Sequence, residues 1–261
     1  MGATLSLRDG TFRYGKRDIF SQLNLDLAAG ELLCILGPNG CGKTTLLRCL
    51  NGALPLSGGR VCLDDRDVAA MPVDERARRM GFVFQEHAAP FPFPVLEVVR
   101  MGRTPHLGFL AAPSRKDTEL AEEALAVVGL LRLRDQPYTQ ISGGERQLVL
   151  IARTLAQRPA VILLDEPTSH LDFRNQALVL RTIRTLAEQG LAVAMTSHLP
   201  DHALLYATTV AMMSEGHFLA VGPPDEVMTE ERLRYTYGMD VRLLTVDDPA
   251  SGKTRRFCVP A

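Results

Sequence analysis

Three short segments combine residue types and spacings that could do chemistry. In Gly37-Pro38-Asn39-Gly40-Cys41-Gly42-Lys43-Thr44, spaced glycines run into Gly-Lys-Thr. Such glycines let backbone N–H groups turn inward around phosphate oxygens, and a helix that starts there adds its positive end. Lys43 then reaches the outer phosphates and the Thr44 hydroxyl ligates Mg²⁺. The expected nucleotide contacts are Gly37, Asn39, Gly40, Cys41, Gly42, Lys43, Thr44 and Thr45. The plain alternative is an ordinary glycine turn, but a strand before and a helix after supply the context of a phosphate loop. Further along, the apolar run Val161 to Leu164 ends in Asp165 and Glu166. In a parallel sheet such a strand end faces the ligand crevice. Asp165 there holds Mg²⁺, directly or through water, and Glu166 faces a γ-phosphate and polarises an attacking water. Alone, the two acids read equally well as a helix cap or solvated side chains; the phosphate loop tips the choice. In Ile141-Ser142-Gly143-Gly144-Glu145-Arg146-Gln147, Ser-Gly-Gly ahead of a helix makes a second anion-binding N-terminus. Ser142 with Glu145 three residues on is also a capping box, which orders the same helix.

These groups need elements to position them. Leu32 to Leu36 is an apolar run bounded by Gly30 and Gly37, as in a strand buried on both faces. Thr44 to Leu50 is helical in composition, and Val61 to Leu63 and Gly81 to Phe84 read as strands. From about residue 86 the texture changes: Pro90, Pro92, Pro94 and Pro105 forbid one regular helix across that stretch. Helices are expected over Lys116 to Val128 and Gly144 to Gln157, followed by strand Val161 to Leu164, helix Asn175 to Glu188 and strand Ala192 to Thr196. Val241 to Val246 and Arg255 to Val259 read as two strands around a turn-rich loop. The expected organisation is an α/β core formed by 1–85 and 159–240, a helical insertion at 86–158 and a terminal β-hairpin at 241–261. Ser251-Gly252-Lys253-Thr254 imitates the end of a phosphate loop but lacks the first glycine, so no second nucleotide site is expected.

Composition bounds the function classes. The 261 residues are 46% hydrophobic and 23% charged, which excludes global disorder and collagen-like fibres. Lysine and arginine number 29 against 30 acids, a balance without the footprint of a nucleic-acid binder. No apolar run approaches the ~18–20 residues that cross a bilayer, and the start lacks a signal-peptide pattern. Five cysteines in apolar surroundings suggest a reducing compartment. Cys34, Cys49, Cys62 and Cys258 lack metal-ligand spacing, and Cys41 suits a small packed side chain. A soluble cytoplasmic protein is expected.

Ile141 to Gln147 is similar to the signature sequence of ATP-binding-cassette (ABC) ATPases, usually written LSGGQ. It departs at Ile141 and Glu145 and keeps Ser142-Gly143-Gly144. The resemblance implies a P-loop NTPase fold of the ABC type, with a helical sub-domain and an antiparallel β element in its N-terminal part. It implies a head-to-tail homodimer with two ATP molecules, Ser142 to Gly144 of one copy closing over the γ-phosphate held by the other. It also implies roles for single residues. Tyr14 matches the aromatic that stacks on adenine, and Gln85 the glutamine that senses Mg²⁺ and the γ-phosphate. Asp172 matches the loop coupling the two sites, and His198 the histidine that contacts the γ-phosphate. ATP and Mg²⁺ are the cofactors so implied. With Lys43, Gln85, Glu166 and His198 as the catalytic group, and Thr44, Gln85 and Asp165 around the metal, ATP hydrolysis follows.

Within that family, Phe93 to His106 resembles the FPxxVLEVVxMGRxPH pattern of importer ATPases for iron–siderophore complexes, haem and cobalamin, with one residue fewer between proline and valine. Molybdate importers share these features, and Tyr235 to Gly238 and the final segment also look like that group. The resemblance implies integral membrane permeases as partners, contacted through about 86–106. It further implies a periplasmic or extracellular substrate-binding protein acting indirectly, and a peripheral location on the cytoplasmic face of the plasma (inner) membrane. An exporter ATPase and a soluble, non-transport ABC ATPase are the alternatives.

Overall fold

The structure, a computed structural model, describes residues 4–85, 91–108, 111–248 and 252–261. Strands β1 (Leu5–Tyr14) and β2 (Arg17–Leu27) precede β3 (Leu32–Leu36) and helix α1 (Lys43–Leu50). β4 (Gly58–Leu63), β5 (Arg66–Asp67), α2 (Val73–Arg79) and β6 (Met80–Val83) follow. Three helices come next: α3 (Val95–Arg100), α4 (Arg115–Val127) and α5 (Gly143–Ala156). Alternation resumes with β7 (Val161–Leu164), α6 (Phe173–Glu188), β8 (Ala192–Ser197), α7 (Pro200–Tyr206) and β9 (Thr209–Ser214). β10 (His217–Gly222), α8 (Pro224–Val227) and α9 (Glu230–Tyr237) lead to β11 (Val241–Asp248) and β12 (Lys253–Pro260), which pair antiparallel.

The central sheet has six strands in the order β10-β9-β3-β8-β7-β6, all parallel except the first pair. Successive strand side chains point to opposite faces, and β3 shows what this does. Leu32, Cys34 and Leu36 pack into one core with the helices α3 to α6, while Leu33 and Ile35 pack into a second with α1 and the N-terminal strands. Both faces are covered, so β3 and β7 read as unbroken apolar runs and β8 as one as far as Met195. A four-stranded antiparallel sheet, β2-β1-β4-β5, closes the second core. The α/β architecture with an antiparallel N-terminal element is the expected one.

Three local expectations are refined. α6 begins at Phe173, two residues earlier than the apolar spacing suggested, because the Asp172 side chain accepts from Asn175 N at 2.9 Å and caps it. β6 stops at Val83, leaving Phe84 56% exposed. The proline-rich stretch resolves into α3 and a 3₁₀ turn over Met101–His106, with Pro94 N-terminal to the helix and Pro105 inside the turn. Residues 86–90 of that stretch lie outside the described residues.

One buried ion pair ties the helices α4 and α5 together. Arg103 donates from Nε to Asp117 Oδ1 at 3.0 Å and from Nη1 to the Ala156 carbonyl at 2.7 Å. Asp117 also completes a capping box with Ser114. The Ser114 hydroxyl and backbone N–H, then Arg103, hold its carboxyl down at about 2, against an ordinary 3.8. Because the folded value is depressed, the stabilisation is full above pH 3.8 and is lost as pH falls toward 2. Asp117→Asn is expected to cost about 1–3 kcal/mol near neutrality. Urea unfolding from pH 6 down to 3 should show the gap between variant and wild type narrowing toward acid; a gap independent of pH would contradict the assignment.

Candidate active site

Because β3, β8, β7 and β6 are parallel neighbours, their C-terminal ends emerge along one edge. Along it stand the phosphate loop after Leu36, His198 after Ser197, Asp165 and Glu166 after Leu164, and Gln85 after Val83 and Phe84. Residues from four distant stretches of sequence thus meet at the carboxyl edge of the sheet, where ligands of open α/β folds bind.

Close approach explains two loop glycines. A Cβ on Gly37 would lie 2.3 Å from the Met213 carbonyl oxygen, too near for any side chain. Gly42 has φ +108°, and a Cβ there would crowd Ile19 and Met213 at 3.1 Å. α1 starts at Lys43, whose ammonium donates to the carbonyls of Gly37 at 2.9 Å and Pro38 at 3.0 Å. That ammonium is buried and stands 3.5 Å from Glu166 Oε1. Thr44 Oγ1 donates to Asp165 Oδ1 at 2.9 Å. Both are hard oxygen donors of the kind that suits Mg²⁺, and Gln85 adds an amide nearby, so these residues fit the ion. Glu166 gathers the rest: its Oε2 accepts from Gln85 Nε2 at 3.4 Å and lies 3.2 Å from His198 Nδ1.

Lys43, Thr44, Gln85 and Glu166 border an open cavity of about 530 Å³, which His198 does not line. Tyr14, Asn39, Gly40, Gly42, Lys43 and Thr44 line it, joined by Thr45, Gln85 and Glu166. Tyr14 is 52% exposed, edge-on to Phe12 at 4.8 Å, so its ring is presented to solvent rather than packed in the core. Gly37, Cys41 and Asp165 sit behind the lining. Burial raises the Cys41 thiol above its ordinary value, opposed by Lys43, as befits a packed side chain.

Ser142, Gly143, Gly144 and Asp172 are not brought to this cavity. Ser142 caps α5: its hydroxyl accepts from Glu145 N, and the Glu145 carboxylate accepts from Ser142 N and Oγ. The Ser142 backbone, its hydroxyl and Arg132 hold the Glu145 carboxyl below the usual range. Ser142 and Gly143 remain exposed. Gly144 is buried against Asn175, where a Cβ would lie 2.4 Å from Oδ1, and the Asn175 amide donates to Asp172 Oδ2 at 2.9 Å. The signature segment therefore rests, through Asn175, on the Asp172 cap of α6.

Sequence reasoning did not single out several supporting residues. Arg17 and Ile19 line the cavity because β2 turns back directly after Tyr14. Tyr237 donates its hydroxyl to the His198 carbonyl at 3.0 Å, tying that loop to α9. His202, 3.0 Å from Ser197 Oγ, is pushed down to about 4 by burial and then by His198, so it stays neutral beneath the loop. Thr196, fully buried, touches both acids. Among the described residues no His/Cys/Asp/Glu cluster forms a metal site, and no helix is long and apolar enough to cross a membrane.

Residues 20–169 match the family model described as ABC transporter. The chain is 39% identical over 241 residues to the hemin import ATP-binding protein HmuV of Rhodococcus jostii (strain RHA1), covering 92% of this chain and 81% of that one. It is 36% identical over 243 residues to the ferric enterobactin transport ATP-binding protein FepC of Escherichia coli (strain K12), covering 93% and 89%. Among solved structures, a metal-chelate type ABC transporter in an inward-facing conformation superposes with a TM-score of 0.88 at 33% identity, covering 100% of this chain and 98% of the other.

Proposed function

The chain belongs to the ABC transporter family, and on that premise we propose that it is the ATP-hydrolysing subunit of an importer, driving uptake of a metal chelate through a separate membrane permease. The chelate is of the iron–siderophore, haem, cobalamin or molybdate type; the hemin import and ferric enterobactin transport roles of the two relatives support that reading. Hydrolysis rests on one observation above the others: Glu166 stands at the edge of the phosphate-loop cavity within 3.5 Å of Lys43, Gln85 and His198.

ATP lies with its adenine on Tyr14 and its phosphates in the loop, where backbone N–H groups and the start of α1 neutralise them. Lys43 leaves the Gly37 and Pro38 carbonyls for the outer phosphates. Thr44 and Asp165, with Gln85, would hold Mg²⁺, which would supply positive charge against the phosphate oxygens. Glu166 accepts the proton of a water whose oxygen attacks the γ-phosphorus in line, as the bond to the bridging β–γ oxygen breaks. His198 donates to the γ-phosphoryl oxygens that gain charge.

Ser142 and Gly143 are exposed and do not line the phosphate-loop cavity of their own chain, which supports a homodimer in which they close over the partner copy's γ-phosphate. Phe173, 89% exposed next to Asp172, is an apolar surface such an interface would cover. In this scheme 1–85 and 159–240 are the nucleotide-binding core, 86–158 the helical unit carrying the signature, and 241–261 an appended hairpin.

The permease meets the chain around 86–106. A groove of about 240 Å³ lined by Phe82, Phe84, Leu150 and Arg153 adjoins that segment, and Phe91 and Phe93 are 62% and 46% exposed there. A partner helix would cover this apolar rim, with the subunit peripheral on the cytoplasmic face of the membrane and an external binding protein delivering cargo.

The test is capture of the tagged chain from gently solubilised membranes. A stoichiometric, strongly hydrophobic partner is expected. Phe84→Asp should lower its recovery by at least ~10-fold while leaving the isolated subunit's ATPase intact. Recovery only with ribosomes or DNA, or alone, would overturn the transport assignment and leave ATP hydrolysis standing.

A further inference from the structure

We propose that Thr196 is a positioning residue that aims both acids of the site, holding the Asp165 carboxylate toward the metal position and the Glu166 backbone in its reactive turn. The inference rests on Glu166 acting as the general base. Thr196 lies near the end of β8 and is 1% exposed, so water does not compete for its hydroxyl. Its Oγ1 is 2.8 Å from Glu166 N and 2.9 Å from Asp165 Oδ1. A backbone N–H only donates, so the hydroxyl accepts from Glu166 and sends its single proton to the carboxylate. Direction and geometry are therefore both determined.

The same Asp165 oxygen accepts from Thr44 Oγ1 at 2.9 Å. Two hydroxyls, one from the phosphate loop and one from β8, converge on Oδ1 and fix the plane of the carboxylate, while neither engages Oδ2. Glu166, the next residue, has φ +42°, in the left-handed region that side chains other than glycine adopt at a cost. The Thr196 hydroxyl gives that turn its hydrogen bond. Leu164 and Met195 beside it are fully buried, so loss of the hydroxyl removes the partner of the Glu166 N–H at a site bordered by apolar side chains.

A β-branched residue in a buried strand could instead serve only packing. The two roles separate on substitution. Thr196→Val keeps the branched shape and removes the hydroxyl; Thr196→Ser keeps the hydroxyl and removes the methyl. If Thr196 positions the acids, Thr196→Val lowers kcat for ATP about ten- to a hundred-fold, the scale of an ångström-level misplacement. KM for ATP with Mg²⁺ rises only by the factor that the Mg²⁺-dependent part of the affinity loses, since the phosphate loop is untouched. Thr196→Ser keeps kcat within about three-fold of wild type.

Two further readouts go beyond activity. Equilibrium binding of ATP without Mg²⁺ should match wild type in Thr196→Val, which also certifies the fold, whereas the affinity added by Mg²⁺ should shrink. A double variant, Glu166→Gln with Thr196→Val, should be slowed relative to Glu166→Gln alone by less than the full Thr196→Val factor, because part of the Thr196 effect passes through Glu166. Should Thr196→Val not bind ATP at all, Thr196→Ala replaces it in the same comparison.

Wild-type kcat in Thr196→Val, or Thr196→Ser as slow as Thr196→Val, would overturn the proposal; so would a double variant slowed by the full additional factor. Failure of the base assignment looks different. Glu166→Gln would then turn over at the wild-type rate, and Thr196 would be judged by the Mg²⁺-dependent part of ATP affinity, whose retention in Thr196→Val overturns it.

Discussion

Glu166→Gln lowers kcat by roughly 10²- to 10⁴-fold, the contribution of a positioned general base, and leaves ATP binding in place. The substitution is nearly isosteric. A glutamine can keep hydrogen bonds to Gln85 and His198, which stand 3.4 and 3.2 Å from the carboxylate. An amide does not take up the proton that attacking water must release, so the chemical step stalls. Nothing that holds the nucleotide is removed, since the cradle is the phosphate loop, Lys43 and Thr44. The variant also carries one negative charge fewer beside the γ-phosphate site, which favours retention of ATP. If the exposed Ser142 and Gly143 close over the partner copy's ATP, stalled hydrolysis freezes the closed state, because opening requires loss of the γ-phosphate contact. Steady-state turnover, nucleotide content and size-exclusion chromatography with ATP and Mg²⁺ check all three points. Wild-type turnover would remove Glu166 from the mechanism; a slow variant that stays monomeric with ATP would instead remove the dimer.

Lys43→Ala is expected to abolish ATP binding rather than turnover alone, weakening affinity on the order of a hundred-fold or more, as when a charge-assisted contact to phosphate is lost. The lysine is 5% exposed, and in the free site it is oriented by two backbone carbonyls and faces Glu166 at 3.5 Å. Its ammonium therefore waits in the loop with little side-chain freedom to lose on binding. Alanine removes that charge and leaves the Glu166 carboxylate, itself 12% exposed, without its cation next to the incoming phosphates. Attraction becomes repulsion at the same point. Titration with a fluorescent ATP analogue, alongside thermal unfolding to establish that the fold persists, checks this. An affinity within a few-fold of wild type in a folded variant would show that the backbone cradle alone carries binding.

The two expectations have unequal roots in the sequence. Lys43 was legible because a phosphate loop is a local device: its glycines, lysine and threonine are consecutive, and the backbone turn they form needs only the strand before and the helix after. Asp165 and Glu166 were legible for a related reason, a run of four apolar residues ending in two acids. The capping box at Ser142 and Glu145 is local too, and the structure has it as expected. The helix boundaries came within two residues wherever apolar spacing and a cap agreed. By contrast Gln85, Asp172 and His198 are single polar residues without a local pattern, and only resemblance to a family named them.

The stretch between Ser197 and the terminal hairpin was the least legible part. β9 is a buried strand of mixed Ala, Met and Val, and α7 is a seven-residue helix; neither has a period long enough to stand out. Arg17 and Ile19 reach the cavity only because β2 folds back across it, and Tyr237 reaches His198 from 39 residues away only because α9 packs beneath that loop. Thr196 shows the same limit most sharply. In the sequence it is one β-branched residue in an apolar strand; in the fold, the parallel pairing of β7 with β8 sets its hydroxyl between Asp165 and Glu166.

By itself, then, the sequence determined the phosphate-binding loop, the acid pair, the signature cap and the α/β class, because each is written in neighbouring residues or in a short period. Only the tertiary structure decided which side chains meet at Glu166, that the signature segment does not line the phosphate-loop cavity of its own chain, and that a buried threonine joins the two acids. Strand order and register determine those contacts, and they arise from packing between stretches of chain far apart in sequence.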